Sequence, residues 1–300
     1  MKIFAILGAS ASGKSALGLR LAKELDCFIL SLDSLSIYQE INIASAKPSK
    51  EELLSIRHFG IDLLTPNEPS NAALFARLFE EALEASNQAG KKALLLVGGT
   101  GFFLKRIIEG LSPAPTLDPS AKEWLKEVLE NRREAFKELE KIDPLYTSRI
   151  TPSDLHRLRR GWEIYLGSGL SPSLFFETHP PKPLGHDLKI YELALERELL
   201  RQRITERTEQ MLESGLIDEV CQLESRYTRE PQAMKSIGIA ETLAYLDGEI
   251  SKEELIPLIS THTAQLAKRQ TTFNKTQFTS IRHLEAPRLF EEICHTITKS

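Results

Sequence analysis

The first residues along the chain that could take part in chemistry form a glycine-rich loop near the N-terminus. The side chains and backbone of this loop are suited to binding a phosphate group. The loop reads Gly8-Ala9-Ser10-Ala11-Ser12-Gly13-Lys14-Ser15, a full match to the pattern G-x-x-x-x-G-K-[ST]. Its glycines let backbone N–H groups turn inward on a diphosphate, Lys14 can neutralise phosphate oxygens, and the Ser15 hydroxyl can ligate Mg²⁺. We therefore predict that this chain binds a phosphorylated ligand.

The loop lies between two patterned segments that supply the strand–loop–helix context it requires. Residues 3–7 form an apolar run, and leucines recur with helical spacing at Leu17, Leu21 and Leu25. Further strands and crossover helices alternate after this helix, and the alternation predicts a right-handed, parallel α/β sheet. The fold class is therefore expected to be α/β, with a P-loop-type parallel sheet and crossover helices.

Two more predicted strands end in residues that could complete a site around the loop. The apolar run 28–32 is followed by Asp33, and the run 93–97 is followed by Gly98-Gly99-Thr100. Because the carboxyl ends of the strands in an open parallel sheet line one crevice, we expect Asp33 and Thr100 to meet the loop there. Standard ATPases with this loop hold Mg²⁺ with an Asp at a later strand end, whereas no carboxylate follows residues 93–97.

Proline-rich segments divide the chain into two parts. Ser112-Pro113-Ala114-Pro115 precedes a charged block that reads as helix, and a second such segment spans residues 179–183. We predict an α/β core formed by residues 1–113 and 186–300. Residues 114–185 are predicted to form a helical insertion domain.

Hydrophobic periodicity predicts the remaining elements of the core. Residues 61–64 could form another strand, residues 74–85 have helical spacing, and residues 188–195 return to a strand pattern. Apolar residues spaced three, four and seven apart between positions 199 and 223 then predict one long amphipathic helix. We interpret its apolar stripe, which includes Ile204 and Met211, as packing core rather than as a ligand surface.

Composition places the chain among globular proteins. It has 300 residues, 41% of them hydrophobic, and a net charge of only −4, so any nucleic-acid binding must use local patches. No apolar stretch reaches the roughly 18 residues of a membrane span, and Met1 leads straight into a predicted strand, which leaves no room for a signal peptide. Three cysteines without metal-ligand spacing are expected to be free thiols in the cytoplasm. We expect a monomer.

Positive charge is concentrated in two segments. Residues 261–283 contain Lys268 and Arg269 but no Asp or Glu, and the predicted insertion carries Arg157 and Arg160 three apart on one helix face. Such runs are usually solvated helix faces. Two of them in a chain that also has a phosphate site make nucleic-acid binding equally plausible.

Read in order, these motifs resemble the bacterial tRNA dimethylallyltransferase family, and the resemblance covers nearly the whole chain. The segments that carry it are residues 8–15, Ser31-Leu32-Asp33-Ser34, Ile37-Tyr38, Ala46-Lys47-Pro48, Val97-Gly98-Gly99-Thr100, Glu109-Gly110-Leu111-Ser112-Pro113, Asp143-Pro144, Arg149-Ile150, Asp154, Arg157, Arg160, Arg203-Ile204, Arg207, Met211, Gly215-Leu216 and Gln265-Leu266-Ala267-Lys268-Arg269-Gln270.

The resemblance implies that this chain prenylates N6 of an adenine next to the tRNA anticodon. The loop and Lys235 would hold dimethylallyl diphosphate with Mg²⁺ on Ser15, Asp33 would act as general base, and Thr100 would hydrogen-bond near the reacting groups. The adenine must leave the anticodon stack to reach the crevice. Contacts to the tRNA anticodon stem-loop, some from the insertion, are expected from Asp33, Ser34, Leu35, Ser36, Thr100, Lys122, Arg157, Arg160, Lys268 and Arg269.

The chain departs from the family pattern at four positions. Lys235 stands where the family usually has Arg, and so lacks the two-pronged guanidinium that suits a diphosphate. Ile239 replaces a Tyr, Phe273 stands where Trp is frequent, and Ala264 stands where Arg is common.

Three other functions fit parts of the sequence. A small-molecule kinase that uses ATP could employ the loop, with Arg157 and Arg160 as lid arginines. A prenyltransferase for free adenine nucleotides would use the same chemistry but would not need the basic segment 261–283. A phosphate-binding scaffold that joins RNA to a partner would need no catalytic Asp33.

Overall fold

The computed structural model describes residues 1–298, and its core is one sheet of six parallel strands. The strand order is β3-β2-β4-β1-β5-β6. This topology confirms the predicted α/β class with a parallel sheet. The strands are β1 (Lys2–Leu7), β2 (Phe28–Ser31), β3 (His58–Phe59), β4 (Ala93–Gly98), β5 (Leu188–Leu193) and β6 (Arg282–Leu284).

The described chain contains fourteen α-helices and one 3₁₀ helix, Gln232–Lys235. The α-helices are α1 (Lys14–Leu25), α2 (Lys50–Ser55), α3 (Ala72–Gln88), α4 (Gly101–Glu109), α5 (Pro119–Val128), α6 (Arg132–Ile142), α7 (Pro144–Thr147), α8 (Leu155–Ser168), α9 (Pro172–Thr178), α10 (Arg197–Glu213), α11 (Leu216–Tyr227), α12 (Ile239–Leu246), α13 (Lys252–Gln277) and α14 (Ala286–Thr298). None of these described helices is long and apolar enough to cross a membrane.

The sheet is buried on both faces, which is why its central strands are apolar throughout. On one face Phe4 and Leu95 pack with Leu21 of α1 and Leu289 of α14. Residues of α3, among them the buried Phe75, pack against β2 and β4. Parallel sheets covered in this way show continuous hydrophobic strands instead of alternating ones.

Two sequence-based element predictions were wrong, and backbone geometry gives the reason. Residues 61–64 form no strand, because Gly60 and Asp62 have positive φ angles of 79° and 54° that turn the chain, and Leu64 makes only an isolated bridge to Tyr38. The single helix predicted between positions 199 and 223 is two helices. Gly215, with φ of 97°, separates α10 from α11.

The chain divides into two compact units. One consists of Met1–Ile108 and the chain from Gly185 onward; the other is Glu109–Leu184. The first boundary lies a few residues before the proline-rich segment expected to mark it, since residues 109–113 belong to the second unit. The second unit is helical, and Leu139, Leu158 and Trp162 form part of its own core.

Candidate active site

The glycine-rich loop connects β1 to α1 and has the conformation that its sequence predicts. Gly13 is the N-cap of α1 with a φ of 93°, a left-handed conformation that favours glycine. The turn is closed by a hydrogen bond from the Ser12 N–H to the Ala9 carbonyl oxygen, at 3.1 Å. The loop therefore ends at a helix N-terminus, where backbone N–H groups and the helix dipole favour an anion.

Lys14 is buried beneath this loop, although lysine rarely is. Its side chain is withdrawn from solvent, and Nζ donates to the Ala9 carbonyl oxygen at 3.1 Å. Burial lowers the pKa of Lys14 to about 8, with the charge of Asp33 opposing the shift and that of Arg207 adding to it. A buried cation of this kind is stabilised when an anion is bound beside it.

Asp33 follows β2 and has two structural roles. Its Oδ1 accepts hydrogen bonds from the N–H groups of Leu35, at 2.8 Å, and Ser36, at 3.1 Å, and so shapes the turn after the strand. Within the described chain, Oδ2 takes no hydrogen bond. The side chain also lines the main cavity of the site, so a turn residue here presents a carboxylate oxygen to a ligand.

The ends of β2 and β4 lie so close together that Gly98 has no room for a side chain. A Cβ atom there would collide with the carbonyl oxygen of Leu32. Backbone hydrogen bonds from Leu32 N–H to Val97 and from Thr100 N–H to Leu32 join the two ends, at 2.8 and 3.2 Å. This contact places Thr100 in the wall of the same cavity as Asp33.

Two cavities adjoin these strand ends. The larger, of about 500 Å³, is lined by residues from the loop, the strand ends and the C-terminal helices, and its charged residues are Asp33, Arg207, Lys235 and Arg269. The smaller, of about 70 Å³, is lined by Lys14 and Ser15, and shares Asp33 and Arg207 with the larger. Cations outnumber carboxylates in both cavities, so the site suits an anionic ligand.

The structure brings most of the predicted site residues to these cavities. Those that line the larger one are Ser10, Asp33, Ser34, Leu35, Thr100, Lys235 and Arg269. Those that line the smaller one are Ser10, Lys14, Ser15, Asp33 and Ser36. Lys268 is exposed on α13 and lines neither cavity.

Two arginines of α10 were not selected from the sequence as site residues. Arg203 Nη1 donates to the Ser12 carbonyl oxygen at 3.2 Å, and Arg207 lines both cavities. Burial lowers the pKa of Arg207, and the charge of Asp33 opposes that shift. The four-residue spacing of these arginines, on the helix that carries Ile204, was the available signal.

The same helix corrects the interpretation of its apolar stripe as packing core alone. Ile204 is buried, but both Ile204 and Met211 line the larger cavity. Ile204 also forms a small apolar cluster with Ala9 of the loop and Ala267 of α13, and Ala264 packs against this cluster. Ala264, one of the four departures, therefore fills a small apolar contact at a position where the family commonly has Arg.

Helix α13 contacts the loop directly. Gln270 Oε1 accepts a hydrogen bond from the Ser10 N–H at 3.0 Å. Arg269 and Phe273 of the same helix line the larger cavity. The helix that carries the predicted RNA-binding cations is thus fixed to the predicted diphosphate loop.

A buried carboxylate holds the turn that carries Lys235. Glu241 accepts a hydrogen bond from the Gly238 N–H at 2.6 Å and pairs with His262 of α13. Lys235 itself is exposed at the cavity, while Ile239, which replaces the family's Tyr, is fully buried. Lys235 can therefore reach an anion in the cavity, whereas Ile239 packs inside the protein.

The irregular segment between β2 and α2 is held in place by Glu219 of α11. This buried carboxylate accepts three hydrogen bonds, from the N–H groups of Asn42 (2.9 Å), Ile43 (2.8 Å) and Ala44 (2.9 Å). Ala44 lines the larger cavity. A wall without regular secondary structure is thus fixed by a charge-assisted cluster, which is stronger than neutral hydrogen bonds.

The basic residues predicted in the insertion lie on the surface of the second unit. Lys122 is exposed in the first turn of α5, and Arg157 is exposed on α8, 3.2 Å from Asp154. Arg160 is half-buried, and its Nη2 donates to the Pro113 carbonyl oxygen at 2.9 Å. Arg160 therefore has a structural contact as well as a cationic side chain.

The protein offers few oxygen ligands for Mg²⁺, so the ion would have to bind together with a phosphorylated ligand. Residues 1–298 contain no group of three or more His, Cys, Asp or Glu side chains that could hold a metal. Ser15 lines the smaller cavity next to Lys14. Mg²⁺ commonly takes one or two protein oxygens and completes its shell with phosphate oxygens and water, so the Ser15 hydroxyl fits an ion that arrives with a phosphorylated ligand.

Comparison with known proteins assigns the family. The IPP transferase family profile matches residues 36–277. The chain belongs to the IPP transferase family. It is 99% identical over its full length to an enzyme named tRNA dimethylallyltransferase from Wolinella succinogenes. It is 48% identical to one from Sulfurimonas denitrificans, over 99% of this chain and all of that one. The family resemblance drawn from the motifs is confirmed.

Solved structures agree with this assignment. A tRNA isopentenylpyrophosphate transferase from Bacillus halodurans superimposes with a TM-score of 0.70 at 30% identity, covering 99% of this chain and 96% of its own. A eukaryotic dimethylallyltransferase acting on tRNA superimposes with a TM-score of 0.82 at 26% identity, covering 95% of this chain and 74% of its own. The fold is therefore that of other IPP transferases.

We predict that the affinity of this IPP transferase for inorganic diphosphate falls as the pH rises through the pKa of Lys14. The pKa lies at about 8, so the cation that attracts the anion is present below that pH and is lost above it. Calorimetric titrations between about pH 7 and about pH 9 should show Kd rising by up to about tenfold per pH unit. Lys14→Gln, neutral throughout, is the control for titration of the ligand itself. Identical pH dependence in both proteins would contradict the prediction.

Proposed function

We propose that this IPP transferase transfers a dimethylallyl group from dimethylallyl diphosphate to N6 of an adenine next to the tRNA anticodon, at position 37, and releases diphosphate. One observation carries the proposal: a phosphate-binding loop and several cations line two cavities that share Arg207 and the carboxylate of Asp33. The names of the relatives support tRNA as the acceptor.

The donor diphosphate is assigned to the loop. Backbone N–H groups at the start of α1 and the cations Lys14 and Arg207 would bind its oxygens. Lys235, across the larger cavity, would add a further positive charge. The aliphatic residues of that cavity, among them Ile204 and Ile259, provide an apolar wall for the five-carbon chain.

The acceptor reaction needs a base. The N6 lone pair is delocalised into the adenine ring, so N6 is a poor nucleophile until its proton is removed. In the proposed reaction Asp33 Oδ2 takes that proton while N6 forms a bond to C1 of the donor. The bond between C1 and the diphosphate oxygen breaks, and its electron pair leaves with diphosphate. Thr100 would orient the amine or the diphosphate.

Charge that develops on the leaving diphosphate would be stabilised by cations already in place. Lys14 and Arg207 are held by burial before the ligand arrives, so little reorganisation of these two cations is needed during the reaction, and the exposed Lys235 would add its charge from the larger cavity. A Mg²⁺ ion on the Ser15 hydroxyl would supply further neutralisation of the diphosphate oxygens.

RNA binding is assigned to basic residues of both units, all of them exposed except the half-buried Arg160. Lys268 and Arg269 in the core, and Lys122, Arg157 and Arg160 in the insertion, would contact backbone phosphates of the anticodon stem-loop. Residues 33–36 and Thr100 would contact the flipped adenine at the cavity. We propose that the protein acts as a monomer in the cytoplasm.

The direct test is incubation with tRNA and labelled dimethylallyl diphosphate, followed by mapping of the modified nucleotide. Label is expected on N6 of the adenine at position 37, with release of diphosphate. ATP with Mg²⁺, alone and with candidate acceptors, tests the kinase alternative. Rapid ATP hydrolysis with no prenyl transfer would overturn the proposal. Transfer to free AMP at the same rate as to tRNA would favour the nucleotide prenyltransferase.

Replacing Asp33 by Asn should remove the general base but keep the hydrogen bonds that shape the turn. Asp33→Asn keeps an oxygen that can accept from the Leu35 and Ser36 N–H groups, whereas Asp33→Ala loses both functions. We expect turnover to fall by roughly 10²–10⁴ in both variants, with RNA affinity retained in Asp33→Asn. Single-turnover rates of Asp33→Asn within about threefold of wild type would remove Asp33 from the chemistry.

Removing two insertion arginines should weaken RNA binding but leave donor binding unchanged. For Arg157→Ala combined with Arg160→Ala, the slope of log affinity against log salt should shrink by about 1.4, at roughly 0.7 per phosphate contact. The exposed pair Arg132→Ala and Arg133→Ala in the same unit serves as the control, with an unchanged slope. Equal loss of donor and RNA affinity, or an unchanged slope, would mean that these arginines form a solvated face.

A further inference from the structure

The wall of the larger cavity contains an aromatic ring whose exposure the fold does not explain. Phe102, two residues after Thr100 in the first turn of α4, is 45% exposed. Among the large hydrophobic side chains that are exposed in residues 1–298, it is the one that lines this cavity. An isolated exposed apolar side chain needs no explanation, but one placed in a ligand cavity does.

The next residue, Phe103, has the environment expected of a core side chain in this helix. Phe103 is buried and stacks on Phe75 of α3, with ring centroids 3.8 Å apart. Phe102 is next to it, with ring centroids 6.1 Å apart, but it points away from Phe75, and the Arg106 guanidinium lies 5.4 Å from its ring centroid. The helix therefore buries one aromatic residue in the core and directs the other to the cavity.

The prenyl chain of the donor does not account for Phe102. Five aliphatic residues from other elements already line the cavity: Ile204, Met211, Ile237, Ile259 and Leu266. Four of them lie on α10 and α13, which contact the loop, and Ile237 lies between Lys235 and α12. Phe102 instead belongs to the strand end that carries Thr100, on the side of the site assigned to the acceptor.

We propose that Phe102 is a stacking platform for a nucleobase of the RNA, the one that neighbours the target adenine in the anticodon loop. The inference rests on the proposed function, since it assigns a role within the same acceptor site. RNA loops are recognised by splaying bases apart and stacking them on aromatic side chains. When the target adenine enters the cavity it leaves its neighbour with an uncovered face, and Phe102 is the exposed aromatic ring at that point.

The experiment separates aromatic stacking from simple apolar contact. Phe102→Leu keeps an apolar side chain but has no ring, Phe102→Ala removes both, and Phe102→Trp keeps a ring. Kd for an anticodon stem-loop and KM for both substrates are measured for each, with Leu246→Ala, an exposed residue outside the cavity, as the control. Thermal unfolding checks that the variants remain folded, which their exposure predicts.

We expect Phe102→Ala and Phe102→Leu to raise Kd for RNA by between about fivefold and about 150-fold, the range for one stacked base. Phe102→Trp should bind within about threefold of wild type, and KM for dimethylallyl diphosphate should stay constant in all three. Wild-type affinity in Phe102→Leu would overturn the stacking role. An increase in KM for the donor alone would assign Phe102 to the prenyl chain instead.

Failure of this inference can be told apart from failure of the proposed function. Wild-type protein that transfers the prenyl group to tRNA, with unaffected Phe102 variants, would refute the platform only. Absence of transfer by wild-type protein would refute the function itself.

Discussion

The site depends on positive charge that the fold withdraws from water at the ends of three adjacent strands. Lys14 is buried, Arg207 is half-buried, and Asp33 is the carboxylate whose charge acts on both. Burial disfavours the charged form of each cation, which the lowered pKa values express. A bound anion relieves that cost, so the free protein is already arranged for an anionic ligand. Gly13 is needed for the left-handed turn that starts α1, and Gly98 is needed because the ends of β2 and β4 approach too closely for a side chain.

The acceptor side of the cavity is organised differently. The segment after Asp33 has little regular secondary structure, and side chains fix its backbone in place of a hydrogen-bonded ladder. Glu219 binds three consecutive N–H groups, and Lys47 donates to the Tyr38 carbonyl oxygen at 2.6 Å. Asp33 contributes to the wall and to the site, since its Oδ1 accepts the hydrogen bonds of the turn while its Oδ2 is available to a ligand. A rigid wall of this type can admit a large planar base without a helix or strand blocking the approach.

Short-range sequence patterns predicted those parts of the site that depend on neighbouring residues in the chain. The loop motif, the ends of β2 and β4 and the parallel sheet follow from short-range sequence signals and from the geometry of open sheets. Arg203 and Arg207 were missed because they lie on a helix whose apolar residues have the spacing of a core stripe. Burial cannot be read from spacing when a helix covers a cavity instead of a core. The break at Gly215 was missed for a similar reason, since periodicity continues across a glycine whose positive φ only the structure reveals.

Under the proposed function a chain with a net charge of −4 must bind two anions, which requires that its charges be segregated. The proposed donor site includes the buried Lys14 and the half-buried Arg207, which ions in solution screen weakly, whereas the cations assigned to RNA, except the half-buried Arg160, are exposed. Exposed contacts weaken steeply with salt, because each neutralised phosphate releases counterions. We therefore expect that higher ionic strength lowers the affinity for RNA much more than the affinity for the diphosphate donor. The distribution of buried and exposed cations, more than their number, would therefore let an acidic chain bind both a small and a large anionic ligand.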